Sequence, residues 1–194
     1  MESTYNGVHI PGSCYHAARS QSSSAVAGAG VIVCSFRNPG DSGRVMAVEI
    51  TRFGLALAAN AGTLIIGLYA RICRNYTVED TGGNLSVNTR LCSSDPFGKA
   101  QFRLNSAGFL TAGTREIPEN AMLMGDAIGV KAGDLGALSA TRTFTNPPLI
   151  LLPNEGIEFV NARAIPSGTT ASFGIELDWT EMSLAEWERV RGKS

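Results

Sequence analysis

Apolar and polar residues alternate one by one near the C-terminal end of the chain. Over 171–180 the apolar side chains fall on one face, and the small or polar ones, with Thr180 among them, fall on the other. The apolar face consists of Phe173, Ile175, Leu177 and Trp179. A period of two residues predicts a strand with one dry and one wet face. An extended segment over 157–165 precedes it, and the Pro-Ser-Gly-Thr-Thr turn at 166–170 predicts that the two form a pair.

Short extended segments separated by Gly, Pro and Asn turns recur through the rest of the chain. They lie at 31–36, 45–53, 64–73, 76–78 and 85–87, with weaker ones at 101–104, 121–130 and 141–145. Within 45–53 the pattern places Met46, Val48 and Ile50 on one face, opposite Val45, Ala47, Glu49 and Thr51. The alanine-rich stretch 54–62 fits either a helical turn or a continuing strand. About seven to ten short strands divided by such turns predict an all-β sandwich or barrel.

The two ends of the chain differ from this central region. Residues 1–24 show no period and include a run of serines and glutamine, so we expect an extended N-terminal arm. After the last strand, Ser183 and Glu186 have the spacing of a capping box, and basic residues follow, which predicts a short helix. The expected organisation is therefore an arm over 1–24, a β-sandwich domain over 25–181 and a tail with a short helix over 182–194.

Composition narrows the function classes. The 194 residues carry a formal net charge of −1, and the arginines are spread along the chain, so no electrostatic footprint for nucleic acid is visible. No signal peptide and no apolar run of membrane-spanning length is found, so no membrane partner is expected. Only 17% of the residues are charged, which is consistent with a surface partly covered in an oligomer. The four cysteines, Cys14, Cys34, Cys73 and Cys92, are far apart, and we interpret them as buried free thiols.

Motifs that suggest chemistry are each better explained by structure. The Gly-Asp-Ser-Gly sequence at 40–43 resembles a serine-protease loop, but both histidines, His9 and His16, lie in the expected arm, so a tight turn is favoured. Four carboxylates near the C-terminus could form a catalytic pair. They are Glu155, Glu158, Glu176 and Asp178. Glu176 and Asp178 share the wet face of a strand, where solvated charge normally lies, so a structural role is favoured. The sequence thus predicts a protein that is not an enzyme and has no metal or cofactor.

The segment 151–181 resembles the C-terminal ending of small virion proteins of tailed bacteriophages. The resemblance lies in a Pro-Asn-Glu-Gly turn, an apolar strand, a Pro-Ser-Gly-Thr turn and a last strand that ends in Asp-Trp-Thr-Glu. Such proteins are often jelly-roll-like sandwiches that decorate or cement capsids as trimers. The resemblance implies a homotrimer on the virion's capsid surface, present in the host cytoplasm during assembly, with the major capsid protein as its partner.

On this hypothesis the partner-binding residues are expected in the arm and the tail helix. They are Tyr5, His9, Tyr15, Arg19 and Trp187. For Trp187 two alternatives remain open, docking onto its own domain or onto a partner. An alternative function is a tail, fibre or head-appendage subunit that binds a host glycan through Tyr69, Tyr76, Phe97 or Phe109. An enzyme on the same scaffold is a third hypothesis, for which no paired nucleophile is visible.

Overall fold

The computed structural model describes residues 4–5, 7–22, 28, 30–59, 64–66, 68–78, 89–90, 96–104, 113–116, 128–130, 136–143, 147–161 and 164–192. Within these ranges the chain is almost entirely extended. The strands are β1 (Thr4–Tyr5), β2 (Val8–His9), β3 (Ser13–Ser22), β4 (Ile32–Asn38), β5 (Arg44–Ala59), β6 (Leu64–Ile66), β7 (Leu68–Arg74), β8 (Thr89–Arg90), β9 (Gln101–Leu104), β10 (Thr114–Glu116), β11 (Ile128–Val130), β12 (Gly136–Thr143), β13 (Leu149–Leu151), β14 (Glu155–Asn161) and β15 (Thr170–Ser183). One helix, α1 (Leu184–Arg191), follows β15 directly.

The main strand pairs are nested along the chain. Strand β3 pairs with β15, β4 with β14, β5 with β12 and β13, and β7 with β10, all antiparallel. The chain thus forms one long antiparallel ribbon, which folds over into two sheets with the strand orders β12-β5-β15-β3-β8 and β10-β7-β14-β4-β9. A rolled antiparallel ribbon that forms two sheets is a jelly roll. The expected all-β, jelly-roll-like sandwich is confirmed.

The core lies between the two sheets. The ring of Phe36 on β4 packs at an angle of 64° against Trp179 on β15, with centroids 5.0 Å apart, so the contact joins the two layers. The predicted alternation of β15 is confirmed from Phe173 to Trp179, since the four apolar side chains are at most 1% exposed. Side chains of both sheets bury large apolar areas here, and that burial is the main driving force for folding.

The predicted faces of 45–53 fail at Glu49 because the ladder between β5 and β15 is irregular there. Asp178 lies opposite Ile50 while Trp179 lies opposite Val48, which leaves Glu49 as an extra residue on β5. A bulge of this kind reverses the alternation of faces beyond it. Thr51 is therefore 1% exposed and on the core side, contrary to the predicted faces of 45–53. Thr180 stays on the outer face of β15, opposite Ala47, and is buried at 3% rather than wet because the chain at Gly12 packs against it.

Strand β5 also decides the alternatives for the alanine-rich stretch 54–62. The strand continues without interruption from Arg44 to Ala59 and pairs with β12 on one side and β15 on the other. A central strand with two partners has its backbone groups satisfied on both edges, which outweighs the helical preference of alanine. The stretch is a continuing strand as far as Ala59.

The expectation of an extended arm over 1–24 is wrong for the residues that form β3. Strand β3 pairs with β15 along its whole length, from Ser13 opposite Glu181 to Ser22 opposite Ser172. Tyr15 and Ala17 are 1% and 2% exposed and belong to the core. The polar composition misleads because the backbone bonds to β15 hold this strand, while its other face is open to water.

Helix α1 has the predicted capping box, with Ser183 accepting from the Glu186 backbone N–H and the Glu186 carboxylate accepting from the Ser183 backbone N–H. Trp187 and Val190 pack onto the sandwich in a second apolar cluster with Ile10, Val45, Ala47 and Met182. No helix among the residues that the structure describes is long and apolar enough to cross a membrane.

Candidate binding surface at one end of the sandwich

Two of the predicted partner-binding residues are buried within the chain itself. Tyr15 is 1% exposed, stacks on Trp179 at 5.7 Å between centroids and donates its hydroxyl to the Pro96 carbonyl oxygen at 2.9 Å. Trp187 is 5% exposed and lies in the second apolar cluster. The prediction is therefore wrong for Tyr15, and of the two alternatives for Trp187 the structure shows docking onto its own domain.

The other three predicted residues are distributed differently. Tyr5 on β1 contacts Trp187 edge to face, so it connects the N-terminal segment to α1. Arg19 lies on β3 opposite Ile175, and its side chain is outside the described part of the structure. His9 on β2 is exposed and lines a pocket beside α1. Of the predicted residues whose side chains are described, His9 is exposed and Tyr5 is partly exposed.

The pocket beside α1 is a cavity of about 240 Å³, referred to below as the α1 pocket. It is lined by Val8, His9, Pro11, Glu186, Arg189 and Val190. Three of these side chains are apolar and three are polar or charged, so the pocket has apolar walls and a charged rim. The hydrogen bonds from the Ser183 backbone and hydroxyl hold the pKa of the Glu186 carboxyl below its usual range, and this side chain is therefore ionised at neutral pH.

A short loop at 96–100, referred to below as the Phe97 loop, is fixed by a buried carboxylate. Glu181 is 3% exposed, and its carboxylate accepts the Lys99 backbone N–H at 2.9 Å and the Ala100 backbone N–H at 3.0 Å. The same group accepts the Trp179 indole N–H at 3.0 Å, and Tyr15 holds Pro96. The loop is thus tied to the core, yet Phe97 at its tip is 76% exposed.

The exposed large apolar side chains of the described residues share one end of the sandwich. They are Val78 at 55%, Phe97 at 76%, Leu152 at 38% and Leu184 at 43% exposure. Each is close to the end of β4 or the beginning of β5. Tyr76, near Val78, donates its hydroxyl to the Asn38 carbonyl oxygen, and Leu152 follows β13, whose last residue lies opposite Met46. Leu184 follows Ser183, which pairs with Arg44, and Glu181, which anchors the Phe97 loop, lies opposite Met46. We refer to this end, with α1 and its pocket, as the apolar end.

Two of the carboxylates considered as a catalytic pair, Glu155 and Glu158, form ion pairs with arginines. The Glu158 side chain is fully buried on β14, with Arg71 Nε at 2.7 Å and Arg115 Nε at 3.3 Å from its Oε2. Arg74 Nη1 lies 2.5 Å from Glu155 Oε2 and also donates to the Ile150 carbonyl oxygen. These pairs neutralise charge that would be costly to bury alone.

Glu176 and Asp178 lie on the outer face of the first sheet. Arg52 Nη1 is 3.3 Å from a carboxylate oxygen of each, and His16 Nδ1 is 2.7 Å from Asp178 Oδ1. Their side chains are 47% and 22% exposed. The pair forms part of a row of polar side chains across three strands, in agreement with the interpretation as a solvated strand face.

The remaining candidate groups have structural roles. Ser42 donates its hydroxyl to Asn38 Oδ1 at 2.6 Å and accepts the Arg44 N–H, which is the predicted tight turn. Cys14, Cys34 and Cys73 are free thiols, and burial raises the pKa of Cys34 well above its usual value; Cys92 is outside the described residues. Within those residues no group of three or more His, Cys, Asp or Glu side chains could hold a metal ion.

The described aromatic residues of the glycan alternative, Tyr69, Tyr76 and Phe97, do not form a platform. Tyr76 is 3% exposed and Tyr69 is half-buried, whereas Phe97 is exposed at the tip of its loop. Phe109 is outside the described residues. Sequence reasoning named Phe97 for this role but missed the Phe97 loop as a built feature, because its anchor, Glu181, is more than 80 residues away in the chain.

Comparison with known proteins does not assign this chain to a family. No protein-family model matches this chain, and no curated protein matches it. Among solved structures, one chain of "Structure of infectious bursal disease virus Gx strain" is 11% identical in sequence to this chain, with a TM-score of 0.13. The match covers 94% of this chain and 44% of the viral chain. This chain therefore spans less than half the length of that viral chain. A similarity this low carries no argument about fold or function.

Proposed function

We propose that this protein is a structural subunit of a virus particle, which binds the capsid shell through the apolar end and stabilises it as a decoration or cement protein. The observation that carries the proposal is the apolar end itself. Val78, Leu152 and Leu184 are exposed there on segments that a rigid jelly roll holds in place. A preformed surface binds with a smaller loss of conformational entropy than a flexible one does.

The rest of the body supports this role. The first and last strands of the jelly roll pair along ten residues, from Ser13 opposite Glu181 to Ser22 opposite Ser172, so both ends of the nested ribbon are fixed. The carboxylates singled out from the sequence are held in ion pairs. The resemblance of 151–181 to phage virion proteins points in the same direction. Repetition of a modest contact over a symmetric shell would give strong attachment.

Co-sedimentation of the purified chain with purified particles that lack it tests the proposal. The variant Val78→Ser, Leu152→Ser, Leu184→Ser should reduce the bound fraction at least about tenfold, since each change removes exposed apolar area from the contact. A matched control carries Ala18→Ser, Ala56→Ser and Thr170→Ser, three exposed positions away from the apolar end, and should bind like the unaltered chain. Equal binding by both variants would contradict the proposed surface, and electron microscopy would show where the subunit lies.

A further inference from the structure

The Phe97 loop and the α1 pocket are two unexplained features of the apolar end. Phe97 is 76% exposed, so it does not fill the α1 pocket of its own chain. A single aromatic side chain on a loop whose Pro96, Lys99 and Ala100 backbone groups are hydrogen-bonded to the core is typical of an interface anchor, because little order is lost on binding. The α1 pocket is a cavity of the same molecule with apolar walls and no occupant among the described side chains.

We propose that copies of this chain associate by inserting Phe97 of one copy into the α1 pocket of the next. The size fits: a phenyl ring is about the size of benzene, which an apolar cavity of about 150 Å³ holds, and the α1 pocket measures about 240 Å³. Val8, Pro11 and Val190 supply the apolar walls. On insertion the Phe97 ring would be transferred out of water into the centre of the contact. Residues at the centre of an interface contribute most of its binding energy.

The charges at the two features are complementary. Lys99, two residues from Phe97, is exposed, and Glu186 lies on the rim of the α1 pocket. Both hydrogen bonds from Ser183 reach Oε2 of Glu186, so in the described contacts Oε1 faces no donor and is open to the Lys99 ammonium of the neighbouring copy. Arg189 and His9 also line the pocket. The Arg189 guanidinium would repel Lys99, so we expect the cation to approach from the Glu186 side.

The positions of the two features favour a closed ring. The Phe97 loop is tied to β3 and β15 through Tyr15 and Glu181, whereas α1 packs on Val45 and Ala47. The Phe97 loop and the α1 pocket are therefore different surfaces of the molecule. Contacts between two different surfaces generate a ring when the rotation that relates successive copies adds up to a full turn. A ring closes only if the two surfaces lie at the same height along its axis, and both belong to the apolar end. Such a ring would present the apolar end of every copy in the same direction.

A glycan is a weaker fit for Phe97 than a second copy is. A sugar site combines an aromatic face with polar groups that hold the hydroxyls. Near Phe97 the Lys99 and Ala100 N–H groups already donate to Glu181, and the Pro96 carbonyl oxygen already accepts from Tyr15. An apolar pocket needs none of these groups.

Light scattering and sedimentation equilibrium on the full chain test the association. The unaltered protein should have a mass that is a multiple of 20.4 kDa. Phe97→Ala should weaken association at least about 30-fold, whereas Phe97→Leu, which keeps an apolar side chain, should retain most of it. An unchanged melting temperature would show that both variants fold. A monomeric unaltered chain at tens of micromolar, or an oligomer that Phe97→Ala leaves intact, would overturn the proposal.

A cysteine pair locates the contact. The variants Lys99→Cys and His9→Cys both keep Phe97. Mixed under mild oxidation, they should form disulfide-linked dimers, and the double variant should form larger covalent species that end at the size of the ring. Each single variant alone controls for the native thiols. Absence of cross-linking in the mixture would contradict insertion into this pocket. Because these measurements contain no capsid, they can succeed or fail independently of the particle-binding test.

Discussion

Tyr5 and Trp187 meet edge to face, with ring centroids 5.0 Å apart and planes at 71°. One belongs to the first described strand and the other to α1, so the contact joins the two ends of the described chain. Ile10 and Val190, close to them in sequence, pack in the same cluster. The N-terminal segment and α1 therefore pack against each other as well as onto β5 and β15.

This contact predicts a measurable coupling in stability. Trp187→Ala should lower the free energy of unfolding by about 3 kcal/mol, because a large, 5% exposed side chain is deleted. Tyr5→Ala should cost less, and the double variant should show a coupling of about 1 kcal/mol in urea unfolding. Leu184→Ala on the same helix is the control and should stay within about 0.5 kcal/mol, since Leu184 is 43% exposed. Additive effects of the two aromatic changes would contradict the contact.

The Glu181 carboxylate is expected to determine the order of the Phe97 loop. Glu181→Gln replaces one acceptor oxygen by an NH₂ group, which would face the N–H groups of Lys99, Ala100 or Trp179. We expect a loss of about 2 kcal/mol in the free energy of unfolding, because a buried donor would be left without an acceptor. Hydrogen exchange at the Lys99 and Ala100 amides should accelerate at the same time.

Glu176→Gln is the matched control for this change. Its side chain is 47% exposed and bound only to Arg52 in the described contacts, so the substitution should alter stability by less than about 0.5 kcal/mol and leave those amides unchanged. If the two glutamine variants behaved alike, the Phe97 loop would have to be held by other contacts.

The buried ion pair on β14 gives a different kind of prediction. Glu158→Ala should cost about 3 kcal/mol, because Arg71 would then keep a partly buried charge without its partner. The double variant Arg71→Met, Glu158→Leu should cost less than the single one, since no unpaired charge remains between β7 and β14, and Arg115 is exposed and can turn to water. A double variant as unstable as the alanine variant would show that the pair contributes chiefly through packing.

Features that involve residues close together in the sequence were predicted, whereas pairings between residues far apart in the sequence were not. The alternation of β15 and the capping box at Ser183 are local, and both are confirmed. The pairing of β3 with β15 joins residues more than 140 positions apart, and the polar composition of 20–22 carries no signal for it. Tyr15 and Ala17, buried at alternate positions, are the one local indication of a strand there.

The candidate site was less predictable than the fold. The bulge at Glu49 reverses the faces of β5 within a single residue, and no feature of 45–53 alone indicates it. The role of Glu181 depends on three N–H groups that β15 and the Phe97 loop bring together. Phe97 was visible in the sequence as an aromatic residue, but its exposure is a property of the folded chain.

The capping box predicts a pH dependence with a definite sign. The Ser183 backbone and hydroxyl groups hold the pKa of Glu186 below its usual range in the folded protein. A carboxyl group whose pKa is lower when folded contributes stability that is fully present above its unfolded pKa, and the contribution is lost as the pH falls through the folded pKa. Glu186→Gln should therefore be less stable than the unaltered chain at pH 7, by about 0.5–1 kcal/mol. The difference should shrink between about pH 5 and pH 3.

Both proteins should be measured with Phe97→Ala as the background, so that helix capping is separated from any contact of Glu186 with a neighbouring copy. Urea unfolding at several pH values gives the two stability curves. Ser183→Ala should cost about 1 kcal/mol at pH 7 and weaken the pH dependence, because it removes the hydroxyl hydrogen bond that stabilises the charged form. If the stability gap between the background protein and its Glu186→Gln variant stayed constant over the whole titration, the cap would not depend on the charge of this carboxylate.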